Sequence, residues 1–150
     1  MDSSEKPKPI NILLVEDNPA DIRLTKEVLK EGKIRNVLNI VMDGEEALLY
    51  LKKEGHFKNA ISPDIVLLDL NLPKKDGREV LAEIKSDDNL KCIPVIILTT
   101  SSAEQDILNT YAHHANCYIM KPVDFNQFIK VVRSIENFWL TIVKLPTIKK

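Results

Sequence analysis

No apolar run in this 150-residue chain exceeds about six residues. About 20 are needed to cross a bilayer, so no membrane span is expected. The opening MDSSEKPKP has no apolar stretch either, and no signal peptide is expected. Charge of one sign is also missing. The 21 Lys and Arg face 22 Asp and Glu, for a net charge of −1. That balance gives no electrostatic reason to expect nucleic acid or a membrane surface as partner. Cysteine is scarce. Cys92 and Cys117 form no CxxC, so they read as buried, reduced thiols rather than a disulfide or a metal site. No internal repeat, low-complexity tract or linker divides the chain. Its length suits one domain that buries roughly two-thirds of its unfolded surface. These absences predict a soluble, cytoplasmic protein.

What is present is a set of short apolar runs, several ending in chemically useful residues. Ile10–Val15 leads into Glu16-Asp17, Ile65–Leu68 into Asp69, Val95–Leu98 into Thr99-Thr100-Ser101, and Cys117–Met120 into Lys121-Pro122. Such runs read as buried parallel strands. Strands are predicted near 10–16, 37–42, 64–69, 94–99 and 116–121. Helices are predicted near 19–31, 44–54, 76–86, 103–113 and 124–143. Their starts carry capping chemistry: Asn18-Pro19-Ala20-Asp21, Asp43 with Glu46, Ser101 with Glu104, and Asp124 with Gln127. Alternation of five strands with five helices implies an α/β fold, a parallel sheet with helices on both faces. In such a sheet ligands gather at the carboxyl ends of the strands. A cleft there would hold three carboxylates, a hydroxyl and a lysine, which suits a divalent cation and a phosphoryl group.

The set Glu16-Asp17, Asp69, Thr99 and Lys121-Pro122 resembles the receiver domain of two-component response regulators. The stretch Asp69-Leu70-Asn71-Leu72-Pro73 followed by Asp76-Gly77 is similar to that family's loop after the third strand. The resemblance covers residues 10 to about 137 and implies a flavodoxin-like, doubly wound fold with strand order 2-1-3-4-5. Residues 1–9 then form a disordered arm, 10–137 the receiver, and 138–150 an extension of the last helix and a tail.

Each role has a physical reason. Three carboxylates at neighbouring strand ends repel one another, and Mg²⁺ removes the conflict. Asp17 and Asp69 are assigned as direct Mg²⁺ ligands and Glu16 as a direct or water-mediated one. The resemblance adds the backbone carbonyl of Asn71. Asp69 is the phosphoacceptor, whose attack on a phosphohistidine forms an acyl phosphate. Mg²⁺ and Lys121 neutralise the phosphoryl oxygens, and the Thr99 hydroxyl donates to one of them. The resemblance also implies a cis Lys121-Pro122 bond and a Thr99–Tyr118 switch. That switch would reshape the surface made by the 103–113 helix, the fifth strand and the last helix. Thr100 departs from the small residue that often follows the switch threonine.

The chain runs past a minimal receiver with Asn137-Phe138-Trp139-Leu140-Thr141-Ile142. The Phe-Trp tail, the Asn-Pro-Ala-Asp start of the first helix and the Thr-Thr-Ser segment look like phytochrome-associated, single-domain response regulators. A phytochrome-like sensor histidine kinase is the implied partner. The last helix is apolar on more than one face, which predicts a homodimer built on Val131, Phe138, Trp139 and Ile142. A phosphorelay role, passing the group to a histidine phosphotransfer protein, fits the same residues. A Mg²⁺-dependent aspartyl phosphatase of the haloacid-dehalogenase type would need an aspartate at position 71, where this chain has Asn71. A flavin or nucleotide carrier would need a Gly- or hydroxyl-rich loop after the first strand, where this chain has Glu16-Asp17-Asn18-Pro19. Apart from its own phosphorylation and dephosphorylation, no catalysis is expected.

Overall fold

The computed structural model describes residues 9–31, 35–99 and 117–133. The predicted arm, the predicted 103–113 helix, Thr100 and the tail with Phe138, Trp139 and Ile142 lie outside these residues. So do the side chains of Thr99, Cys117, Tyr118 and Val131, whose backbones are described.

Five parallel strands form one sheet in the order β2-β1-β3-β4-β5, the flavodoxin-like arrangement. They are β1 (Ile10–Val15), β2 (Asn36–Val41), β3 (Ile65–Asp69), β4 (Val95–Thr99) and β5 (Cys117–Met120). The helices are α1 (Pro19–Glu31), α2 (Gly44–Lys52), α3 (Gly77–Ser86) and a last one at Phe125–Arg133. No helix among the described residues is long and apolar enough to cross a membrane.

Successive strand residues point to opposite faces, so the sheet carries two cores. On one face Ile12, Leu14, Ile65, Leu67, Ile96, Leu98 and Ile119 meet Val28 and Leu29 of α1 and Phe128 and Ile129 of the last helix. On the other, Leu13, Val15, Val66, Leu68, Val95 and Ile97 meet Ala47, Leu48 and Leu51 of α2 and Val80, Leu81 and Ile84 of α3. The helical spacing explains the contact: Thr25, Val28 and Leu29 recur at intervals of three and four and form one buried stripe.

The caps hold the helix starts in place. The Asn18 side chain accepts from the Asp21 amide at 3.0 Å, and Asp43 from the Glu46 amide at 2.8 Å. Asp124 accepts from the Gln127 amide at 2.9 Å, while the Gln127 side chain turns back onto the Asp124 carboxylate. Asp76, read above as the first residue of a helix, is instead its N-cap and forms a complete capping box with Glu79. The second helix ends two residues short of its predicted end. Lys53 adopts φ 58° and its amide returns to the Tyr50 carbonyl, closing the helix before a 3-10 turn at Gly55–Phe57. One expectation fails: Cys92 is exposed, in the turn segment between α3 and β4.

Candidate functional site

Register brings the polar strand ends together. Val15 pairs with Leu68, so Glu16, one residue on, stands beside Asp69. Thr99 pairs with Met120, so Lys121 emerges next to the end of β4. One carboxylate oxygen each from Glu16, Asp17 and Asp69 fall within 4.8 Å of one another. Glu16 and Asp69 are almost sealed, at 1% and 4% exposure, and Asp17 lies nearer the solvent.

Lys121 answers this negative charge. Its Nζ is 2.8 Å from Glu16 Oε1, 2.9 Å from Asp21 Oδ2 and 3.5 Å from Asp69 Oδ2. Asp21 Oδ2 accepts a hydrogen bond from Nζ, and Glu16 Oε1 pairs with the same ammonium at the slightly shorter distance. Burial raises the Glu16 carboxyl pKa to about 7; Lys121 draws it down and the Asp69 charge pushes it up. Burial alone would lower the Lys121 pKa. Its hydrogen bonds to acidic partners and the Asp69 charge outweigh that and hold it above the usual lysine value. Lys121 is therefore charged at any physiological pH. The Lys121–Pro122 peptide bond is cis.

This donor set fits a hard divalent cation. All the donors are oxygens, and two of the carboxylates are buried. Among the predicted ligands and phosphate-binding residues, the structure brings Glu16, Asp17, Asp69 and Lys121 together by side chain. It brings the backbone of Thr99 to the same edge. Asn71 follows two residues after Asp69 and its amide donates to Asp69 Oδ1 at 3.4 Å, which bends the chain back over the strand end. Sequence reasoning missed the Asp21–Lys121 contact. Asp21 carried a cap signal in the first turn of α1, but its partner lies 100 residues away and no local pattern marks it.

Two features follow from this packing. The first is the loop after β3. A Cβ at Gly77 would lie 2.7 Å from the Leu70 Cα and would also strike the Asp69 carbonyl. Backbone cannot give way there as a flexible side chain would. Gly77→Ala is expected to lower stability by about 1–3 kcal/mol, as overpacking does. Urea unfolding should show a lower midpoint with an unchanged m-value.

The second is a pH dependence. Glu16 has a folded pKa near 7 against a model value of 4.5, so between these values the folded state binds more protons than the unfolded one. Stability of the metal-free protein is then expected to fall as pH rises from about 4.5 through 7, by at most roughly 3 kcal/mol. Glu83 and Asp124, whose pKa values are lowered, titrate below this window. Thermal unfolding at pH 5 and pH 8 in chelator checks the sign, and greater stability at pH 8 would refute it.

The receiver domain of response regulators matches residues 12–133 of the chain. The chain belongs to the response regulator receiver family. Among the receiver's relatives, the response regulator Rcp1 of Synechocystis sp. is 51% identical over 144 residues, covering 96% of this chain and 98% of Rcp1. The structure of Rcp1 in a Mn²⁺-bound form superposes with a TM-score of 0.72 over 92% of this chain and 99% of that one. The phosphorylated cyanobacterial phytochrome response regulator RcpA is 53% identical, with a TM-score of 0.74 over 93% of this chain and 99% of that one. The bacteriophytochrome response regulator RtBRR is 40% identical, with a TM-score of 0.82 over 93% of this chain and 84% of that one. Receiver domains take a phosphoryl group from histidine kinases and bind a divalent metal.

Proposed function

We propose that this receiver is a phosphorylation-dependent switch that accepts a phosphoryl group on Asp69, in the cytoplasm, from a phytochrome-like sensor histidine kinase. The observation that carries the reading is the grouping of the Glu16, Asp17 and Asp69 oxygens within 4.8 Å, with the Lys121 ammonium 3.5 Å from Asp69. Identity with phytochrome response regulators over nearly the full chain supports the class of kinase.

Glu16, Asp17, Asp69 and the Asn71 carbonyl would hold Mg²⁺, which when bound neutralises phosphoryl charge. Asp69 presents a carboxylate oxygen in line with the phosphorus of a phosphohistidine. The new P–O bond forms as the P–N bond breaks, and the imidazole leaves with the bonding pair and takes up a proton. The chain's own contribution is position and charge more than acid–base chemistry. Lys121 brings a permanent positive charge on a mobile stem to the transferred group, and Thr99 a hydroxyl. Thr99 and Tyr118 are the proposed relay from the phosphoryl group to the surface around β5. Homodimerisation through Val131, Phe138, Trp139 and Ile142 is also proposed; sedimentation that finds only monomer, with and without phosphate, ends that assignment.

Incubation with acetyl phosphate and Mg²⁺, followed by intact mass, tests the function. One phosphate adduct is expected, lost at alkaline pH and absent in chelator. A protein that takes no phosphate under these conditions is not a receiver switch.

A further inference from the structure

Lys121 is shared among three carboxylates, and the three are not equivalent. Glu16 and Asp69 are buried and belong to the oxygen cluster that suits a cation. Asp21 stands outside that cluster, on the first turn of α1, with a side chain one-third exposed. Its backbone is held by the Asn18 cap at 3.0 Å, so its carboxylate is presented from a rigid helix start rather than from a loop. Nζ lies between Glu16 Oε1 at 2.8 Å and Asp21 Oδ2, which accepts its hydrogen bond at 2.9 Å, while Asp69 Oδ2 lies beyond ordinary hydrogen-bond length at 3.5 Å.

A divalent ion among Glu16, Asp17 and Asp69 repels an ammonium drawn to the same oxygens. We infer that Asp21 is a positioning residue for Lys121: it gives the ammonium a second seat, so that lysine and cation occupy one pocket without competing for Asp69. The inference rests on the proposed metal site and adds to it a residue that holds no metal and touches no phosphate. In the unphosphorylated protein Asp21 draws Nζ toward α1 and holds it 3.5 Å from Asp69 Oδ2, outside hydrogen-bond distance. Without it, the nearest remaining carboxylates are those the cation needs, and the ammonium closes on Asp69.

The test is a double-mutant cycle read by Mg²⁺ binding to the unphosphorylated full-length protein, measured calorimetrically. Asp21→Asn is expected to weaken Mg²⁺ binding about three- to fivefold, the size of a partly exposed ion-pair contribution. In a Lys121→Met background the same substitution is expected to change the affinity little, because there is no ammonium left to seat. Equal weakening in both backgrounds would mean that the Asp21 charge acts on the cation directly, and would overturn the inference. So would unchanged affinity in Asp21→Asn, or a parent protein that binds no Mg²⁺. A metal-free crystal structure of Asp21→Asn gives a second reading that needs no Lys121 variant. Nζ is expected within hydrogen-bond distance of Asp69, and a separation still at 3.5 Å would count against the seat. Both measurements use unphosphorylated protein, so failure of phosphate uptake is a separate result that bears on the proposed function alone.

Discussion

Asp69→Asn is expected to take up no phosphoryl group from acetyl phosphate and Mg²⁺, with the fold intact. Asp69 is almost completely buried at the end of a central strand and is reached by Lys121. Its neighbours are poor substitutes. Burial raises the Glu16 carboxyl pKa, which weakens it as a nucleophile at neutral pH, and its two oxygens face Lys121 and the Asn18 amide. Asp17 lies nearer the solvent and has no contact with Lys121 among those described. The loss in rate should reach on the order of 10³-fold or more, as removal of a nucleophile does in other covalent mechanisms. Asparagine preserves the shape, and its carbonyl oxygen can still accept from the Asn71 amide. It also removes one of three mutually repelling charges, so the variant should unfold no earlier than the parent in chelator. Intact mass reads the first outcome and thermal unfolding the second. Full labelling of the variant at another residue would remove Asp69 from the acceptor role.

Lys121→Met is expected to have the largest effect on stability. The ammonium is 10% exposed and lies against Glu16, Asp21 and Asp69. Methionine fills a similar volume but leaves two buried carboxylates without a counter-charge. Removing one partner of a buried ion pair typically costs about 3–5 kcal/mol. Here the loss should be smaller at pH 5, where Glu16 escapes by protonation, and larger at pH 8, where it cannot. Saturating Mg²⁺ should recover part of the loss at pH 8 by supplying positive charge to the same oxygens. Urea unfolding at the two pH values, with Mg²⁺ and with chelator, reads all three effects. A loss independent of both pH and Mg²⁺ would mean that Lys121 acts by packing rather than by charge. Phosphate uptake should slow as well, because the charge that faces the transferred group is gone.

The sheet could be read directly from the chain because its inner strands β1, β3 and β4 are short apolar runs buried on both faces, and such runs need no partner to be visible. The acidic cluster could be read because parallel topology sends every strand's final residue to the same edge. Glu16 and Asp69 inherit their proximity from register, and Lys121, at the end of β5, reaches both with its long side chain. Contacts that depend on side-chain reach were hidden. Asp21 meets Lys121 because α1 starts directly above the end of β1, a fact of packing and not of pattern. Cys92 misled for the opposite reason. Thiols are usually buried, but this one falls in the turn between Ser86 and Val95, outside both cores. Asp76 was placed inside its helix because Asp76-Gly77 and the apolar spacing that follows fit one register equally well from either residue. The capping box with Glu79 decides the boundary.

The loop between β3 and α3 separates what is free to drift from what is not. Gly77 lies against the Asp69 and Leu70 backbone, and Gly44, at the start of α2, would bring a Cβ within 2.8 Å of the Lys75 carbonyl carbon. The Gly44 amide donates to the Pro73 carbonyl at 3.4 Å, and the Gly77 amide to the Leu70 carbonyl at 2.9 Å. Insertions or deletions between these two pins would tear the loop from its supports. The side chains of Asn71, Pro73 and Lys74 face solvent on the same segment, beside the acceptor. Side chains at these positions can therefore change with little strain on the backbone that carries Asp69. Freedom at the surface and fixity beneath it are two outcomes of one backbone constraint.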